Sequence, residues 1–257
     1  MIHVLCSRWG EKYDVEYVNK LYNMTKRNLK TDFKFYCQTD QTDGLDRHIE
    51  ALPFLTKLPE STPEAMLNSE DKLNGLARLW DRPKLNYFDP ECWGLDGMKI
   101  AFDLDMIIHN DMTPILDSYN GRPLKIRSWW HNMKLEAQPH WRKRYGARTN
   151  GSFYMWEGDQ FKDIWDDLQR NWRSIYFVFH GGSDNFLTTR HMDKFDFLDS
   201  KYVYSFNRGC KYPDDLKIHK FDSEKIFTLF NTDMGNPMNL EIHEAVKVYP
   251  ELKKLWK

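Results

Sequence analysis

Four cysteines stand in 257 residues, Cys6, Cys37, Cys92 and Cys210, and none belongs to a Cys-x-x-Cys pair. That scarcity and spacing exclude a zinc knuckle and a disulfide framework, so the four read as free thiols. Net charge is also missing: 37 Lys and Arg against 38 Asp and Glu leave -1. No global field exists to hold a polyanion or an anionic membrane surface, and nucleic acid is not an expected partner. Apolar runs are short. Ile175 to Phe179 falls far below the ~20 residues that span a bilayer, and the N-terminus has no basic segment followed by an apolar one. A protein without a membrane span, resident in the cytoplasm, is expected. The chain also lacks internal repeats, low-complexity tracts and a Gly-rich phosphate loop after its first strand, the last of which disfavours a nucleotidyltransferase.

What is present reads as α/β. Ile2 to Cys6 is an apolar run, and after a polar loop Asp14 can cap a helix in which Val15, Val18, Leu21, Tyr22, Thr25 and Leu29 recur at helical spacing. Phe33 to Cys37 predicts a second strand. In a strand-loop-helix-strand opening, ligand loops lie beyond the carboxyl ends of the strands, which places Ser7 to Tyr13 and Gln38 to Gly44 on one edge. The segment from Thr56 to Pro63 reads as irregular and Glu64 to Trp80 as a helix. Further strands are expected at Ser152 to Trp156, Ile175 to Phe179, Tyr202 to Phe206 and Lys225 to Phe230. Helices are expected at Asp159 to Trp172 and Ser183 to His191. Aromatics reach 15% with ten Trp. Most serve as core and surface filler, although such rings also stack on sugar faces and bases.

The stretch that carries chemistry is KIAFDLDMIIHNDMTPIL, Lys99 to Leu116. Two β-prone trios, Ile100 to Phe102 and Met106 to Ile108, flank Asp103 and Asp105, and a strand period of two would aim both carboxylates to one side. Two ionised carboxylates in apolar surroundings are costly unless a positive group neutralises them. A hard divalent cation, Mg2+ or Mn2+, does so with oxygen ligands and also grips substrate phosphates. The alternative is a strand end whose carboxylates bind backbone amides or basic side chains.

The longer run WDRPKLNYFDPECWGLDGMKIAFDLDMIIHND resembles the Trp, Lys, Leu, Phe, apolar strand, DLDxxI pattern of bacterial and viral GT-A glycosyltransferases of the glycogenin and lipopolysaccharide-galactosyltransferase kind. VLCSRWGEKYDVEYVNKLYNMTKRN with FYCQTDQTDGL is similar to that group's first strand, donor loop, helix and second strand. NGSFYMWEG resembles its acceptor-side Asn strand and GGSDNFL its Gly-Asp-Gln helix start. The resemblance implies a single GT-A-type, Rossmann-like domain over 1–257 with a central mixed, mostly parallel sheet flanked by helices. Residues 1–116 would form the nucleotide-sugar half and 117–257 the acceptor-side half. It further implies a metal-dependent hexosyl transfer, of the retaining type, from a nucleotide-diphosphate sugar, UDP-sugar favoured, to the hydroxyl of a glycan, lipopolysaccharide or similar acceptor.

Carried over position by position, the resemblance makes Asp103 and Asp105 the DxD pair that holds Mn2+ or Mg2+, with Asp103 also near the donor ribose or sugar. Ser7, Arg8 and Tyr13 would enclose the nucleoside, Asp40 would reach the base, and Lys84 would complement the diphosphate. Lys84 reads equally as a solvated lysine. Asn150 and Ser152 would bind donor-sugar or acceptor hydroxyls, as would Asp184 and Asn185 at a helix start, where an Asp also reads as a cap. Asp103, Asp184 and Asn185 are the candidates for catalysis, and Trp129 and Trp130 for an acceptor platform, with core packing the more frequent use of such rings. The related enzymes often close the metal site with a His from a late HGxxKPW segment, but here that region reads LFNTDMGNPMNL. Asn231 takes the approximate place of the His and can donate an oxygen, with Asp233 and His243 as competitors. FDLDM also resembles the first motif of haloacid-dehalogenase-type phosphatases, but that motif normally opens a chain and no later GDxxxD segment follows. A carbohydrate-binding protein without catalysis is the third reading.

Overall fold

The computed structural model describes residues 1–55, 82–128, 148–179, 182–207, 223–230 and 240–257. The chain begins with β1 (Ile2–Ser7) and, after a loop, α1 (Val15–Asn28). As expected, Asp14 caps that helix, accepting the Glu16 N–H at 2.9 Å. Lys26 and Arg27 lie in its last turn, where the helix dipole favours cations. Next come β2 (Phe33–Gln38) and the short β3 (Ile49–Leu52), which the sequence reading missed. A 3-10 helix over Arg82–Phe88 precedes β4 (Met98–Phe102) and β5 (Met106–Ile108). Then follow α2 (Thr113–Asp117), β6 (Leu124–Arg127), β7 (Thr149–Glu157), α3 (Lys162–Val178), α4 (Ser183–Arg190) and β8 (Asp196–Phe197). The remaining elements are β9 (Val203–Ser205), β10 (Phe227–Leu229), α5 (Ile242–Val248) and α6 (Pro250–Leu255).

Seven strands form one sheet in the order β3-β2-β1-β4-β7-β6-β8. The β1 pairs with β2 and β4, the β2·β3 pair and the β6·β8 pair are parallel, while β7 is antiparallel to both its neighbours. The mixed, mostly parallel α/β sheet implied by the sequence is therefore present. The strand period of two sorts the core into two faces. Val4, Cys6, Ile100, Phe102, Phe153 and Met155 pack with Val18, Leu21 and Met24 of α1. Leu5, Tyr36, Ala101, Tyr154 and Trp156 pack on the other face with Ile164, Trp165 and Leu168 of α3 and Phe186 of α4. Truncating a fully buried side chain on either face, Ile100 or Trp156 for example, should cost about 2–5 kcal/mol.

Two sequence expectations change. The apolar run from Ile175 is not a strand but the last turns of α3, beyond a kink at Asn171 (φ -129°). Ile164, Leu168, Ile175 and Phe179 fall close to helical spacing and all are buried on one side, so burial of that stripe outweighs local β propensity. The Asp pair, likewise, does not lie inside a strand. β4 ends at Phe102 and β5 begins at Met106, and the two belong to different sheets, since β5 joins β10 and β9 in a separate three-stranded sheet. The expected helix from Glu64 to Trp80 lies outside the described residues. No helix among the described residues is long and apolar enough to cross a membrane.

Candidate active site

Asp103, Leu104 and Asp105 form the link where the chain leaves the large sheet for the small one. Its backbone is held from both sides: the Asp103 N–H donates to the Ser152 carbonyl of β7 at 3.0 Å, and the Phe230 N–H after β10 donates to the Asp105 carbonyl at 2.9 Å. Leu104 between them is buried and anchors the link in the core. The two carboxylates are thereby fixed near each other at the carboxyl end of β4. Burial, and after it the negative charge of Asp103, raises the Asp105 carboxyl to about 6, while Lys12 and Lys84 oppose the shift. Lys84, from the 3-10 helix, forms an ion pair with Asp103 in which both side chains are only 17% exposed. It is therefore not the solvated lysine of the alternative reading.

Tyr13 completes this side. Burial, then the charges of Asp105 and Asp103, pushes its phenol far above the ordinary range, which places the ring beside the acidic pair. The Lys12 ammonium lies 4.7 Å from the same ring's centroid. Arg8 is buried, and its guanidinium donates to the carbonyls of Tyr13 and Gln41, both at 3.0 Å. It ties the loop after β1 to the loop after β2. Ser7 ends β1 in a buried network in which its hydroxyl donates to Gln38 Oε1 at 2.8 Å and lies 2.5 Å from the Tyr87 hydroxyl. Asp40 is exposed on the loop after β2.

A bulge in β7 organises the opposite side. Lys125 of β6 stands across from Tyr154 but Ile126 from Asn150, so Gly151, Ser152 and Phe153 swell out of the β6 register. The swelling lets Ser152 support Asp103, and it turns the Gly151 N–H onto Asp184 Oδ2 at 3.0 Å. Asn150 is buried and its side-chain oxygen accepts the Ser152 N–H at 2.8 Å. Asp184 stands in the first turn of α4, entered through Gly182 at φ 85° and ψ -164°, a conformation that favours glycine. Asn185 beside it is buried. Asp184 Oδ1 accepts from the Thr149 hydroxyl at 3.0 Å and from the Lys125 ammonium at 3.2 Å. The cap alternative does not hold, since the residue at the head of α4 is Gly182 and the Asp184 carboxylate is turned to β6 and β7.

The structure therefore brings together Asp103, Asp105, Lys84 and Tyr13, links Ser152 to them through backbone, and joins Asp184 to Gly151 and Thr149. It leaves Asp40 at the rim. Asn231, Asp233, Trp129 and Trp130 lie outside the described residues. His243 packs with its ring 5.0 Å from Tyr17 and 4.7 Å from Trp256, and lies within a common ligand sphere with the exposed Asp14 and Glu16. A cleft of about 520 Å³ beside Arg127, Phe195 and Tyr202 contains none of the predicted residues. Lys125 and Tyr87 were not foreseen as part of the site, and within the edge loops Lys12 and Gln38 were not singled out. Lys125 had a signal, a lysine in the apolar run from Pro123 to Ile126.

The donor set suits a hard divalent cation. Asp103 and Asp105 offer only oxygens, and the raised Asp105 carboxyl records burial and, after it, the neighbouring Asp103 charge, which Lys12 and Lys84 offset incompletely.

No family model matches the chain, and no curated protein matches it. Solved structures do. The galactosyltransferase LgtC, in complex with donor and acceptor sugar analogs, is 12% identical with a TM-score of 0.54, the match covering 100% of this chain and 97% of that one. The glycosyltransferase GlyE of Streptococcus pneumoniae TIGR4 aligns at a TM-score of 0.62 and 11% identity over 98% of this chain and 60% of its own. Mouse xyloside xylosyltransferase 1 aligns at 0.51 and 9% identity over 92% of this chain and 99% of its own. At these identities the likeness establishes architecture: the chain has the GT-A-like fold of glycosyltransferases.

Proposed function

We propose that the chain is a metal-dependent glycosyltransferase that moves a sugar from a nucleotide-diphosphate sugar, UDP-sugar favoured, to a hydroxyl acceptor. The observation that carries this reading is the Asp103–Asp105 link, which sets two crowded carboxylates and a paired lysine at the carboxyl end of β4 in a glycosyltransferase fold. Open α/β sheets bind their ligands at that edge. LgtC was solved with donor and acceptor sugar analogs, and we assign the same pair of substrate classes here.

In this reading Asp103 and Asp105 hold Mn2+ or Mg2+, which would withdraw charge from the departing diphosphate. The chain's own residues supply the rest. Lys84 carries a positive charge to the diphosphate side while pairing with the Asp103 carboxylate. Ser7 and Tyr13 border the nucleoside, braced by Arg8, whose bonds to the Tyr13 and Gln41 carbonyls hold the two loops together. Asp184 and Asn185 face the sugar, with the Asp184 carboxylate held by three donors so that it can accept a hydrogen bond from a substrate hydroxyl. Asn150 and Ser152 shape the bulge between these groups. Retention of anomeric configuration follows from the sequence resemblance alone.

The decisive experiment incubates the protein with UDP-, GDP- and dTDP-sugars, with Mn2+ or with EDTA, and measures released nucleoside diphosphate. Release that needs the metal from at least one donor supports the reading. No release from any donor across an acceptor panel, with no melting-point shift on adding donor and Mn2+, refutes it.

A further inference from the structure

Among the described residues, Lys125 is a buried charge that the sequence reading did not use. It belongs to β6, opposite Tyr154 of β7 and beside Phe197 of β8, and its side chain is fully enclosed. The ammonium donates to the Tyr154 hydroxyl at 2.9 Å and to Asp184 Oδ1 at 3.2 Å, and lies 4.0 Å from the Tyr154 ring centroid and 5.4 Å from that of Phe195. Enclosing an ammonium among aromatic rings is costly, and an apolar side chain of similar volume would serve the fold as well or better. Burial pushes the amine down to about 8, with the Asp184 charge pulling in the opposite direction, as expected for a cation held in place by one carboxylate.

The carboxylate it holds is asymmetric in its surroundings. Asp184 keeps 21% of its side chain exposed, while Lys125 beneath it has none. Thr149 and Gly151 donate to the same carboxylate from the strand beside it, so three donors from β6 and β7 fix its position and direction. Lys125 also lies within electrostatic reach of Asp103 and Lys84, so the two halves of the site share one field.

We infer that Lys125 is a positioning residue, which orients Asp184 from below so that its exposed side accepts a hydrogen bond from a sugar hydroxyl of the donor. The inference rests on the glycosyltransferase reading and on Asp184 facing the sugar. It adds a residue whose contribution acts through another, which a double-mutant cycle measures directly.

The test uses the full chain with Mn2+ and the nucleotide sugar that gives the most nucleoside diphosphate. It compares Lys125→Met, which keeps volume and removes charge, Lys125→Gln, which keeps a donor without charge, Asp184→Asn, and the double variant Lys125→Met with Asp184→Asn. Lys125→Met should lower kcat at least tenfold while changing the affinity for free nucleoside diphosphate less than twofold. In the Asp184→Asn background the same change should cost less than threefold, and Lys125→Gln should fall between wild type and Lys125→Met. Wild-type kcat in Lys125→Met, or an equal loss in both backgrounds, overturns the inference while leaving the glycosyltransferase reading intact. If the wild type releases nothing from any donor, the parent reading fails instead and this one falls with it. If both Lys125 variants lose the cooperative melting transition, the residue serves folding and the inference is wrong.

Discussion

Replacing Asp105 by Asn removes one of two crowded negative charges without changing volume, and its effect on stability has a sign and a pH window. Between about pH 4 and 6 the folded protein keeps a proton on Asp105 that the unfolded chain, titrating near 3.8, has already lost. Raising the pH through that window therefore removes stability. A shift of about two units is worth about 3 kcal/mol at 1.36 kcal/mol per unit, and solvent on the half-open side of the carboxylate reduces this to about 1–3 kcal/mol. In EDTA at pH 8, Asp105→Asn should be more stable than wild type by that amount. Near pH 4 the two should converge. Half-buried His3 and buried His191, whose pKa values are lowered, impose a slope of the opposite sign below about pH 6.5, but both proteins carry them, so the difference isolates Asp105. Urea unfolding in EDTA from pH 4 to 8 reads that difference. Mn2+ at about 100 times its Kd should stabilise wild type by about 2.7 kcal/mol and leave the variant unchanged, removing most or all of the variant's lead. A variant less stable than wild type at pH 8 in EDTA, or a difference that does not change with pH, would refute the argument that Asp103 and burial jointly strain Asp105.

The remaining predictions concern the groups around that pair. Lys84→Met removes a cation that lowers the Asp105 carboxyl, so the pH midpoint for Mn2+-induced stabilisation should move upward from its wild-type value; an unchanged midpoint in a melting-point titration counts against the pairing. Tyr87→Phe takes one partner from the Ser7 hydroxyl but leaves Gln38, so urea unfolding should show a loss of about 1 kcal/mol, and a loss above about 3 kcal/mol would mean the network is misread. Asp40→Ala alters an exposed loop residue and should leave stability within about 0.5 kcal/mol, while calorimetry should show weaker donor binding at unchanged Mn2+ affinity. Equal weakening of both would sink the assignment of Asp40 to the base.

Local pattern was enough for the elements whose signals agree with their surroundings. Asp14 before a helical stripe, the apolar strands at Ile2 and Phe33, and the strand at Ser152 to Trp156 all reappear in the structure, because capping and strand propensity act over a few residues. The Asp103–Asp105 pair was legible for the same reason: two carboxylates between apolar trios conflict with burial wherever they sit. What sequence did not disclose depended on distant partners. The run from Ile175 became helix because α3 buries a stripe against the sheet. The Asp pair became a link between sheets because β5 found its partner in β10, more than a hundred residues along the chain. Lys84 was named by resemblance, but its ion pair with Asp103 exists only because a 3-10 helix carries it there. Lys125 was not singled out in the sequence, because only the β7 bulge and α4 bring Tyr154 and Asp184 to its ammonium and Thr149 and Gly151 to the same carboxylate. Composition and period act along the chain and can be read there. The electrostatics of this site arise between segments far apart in sequence, so tertiary packing alone decided which charges meet.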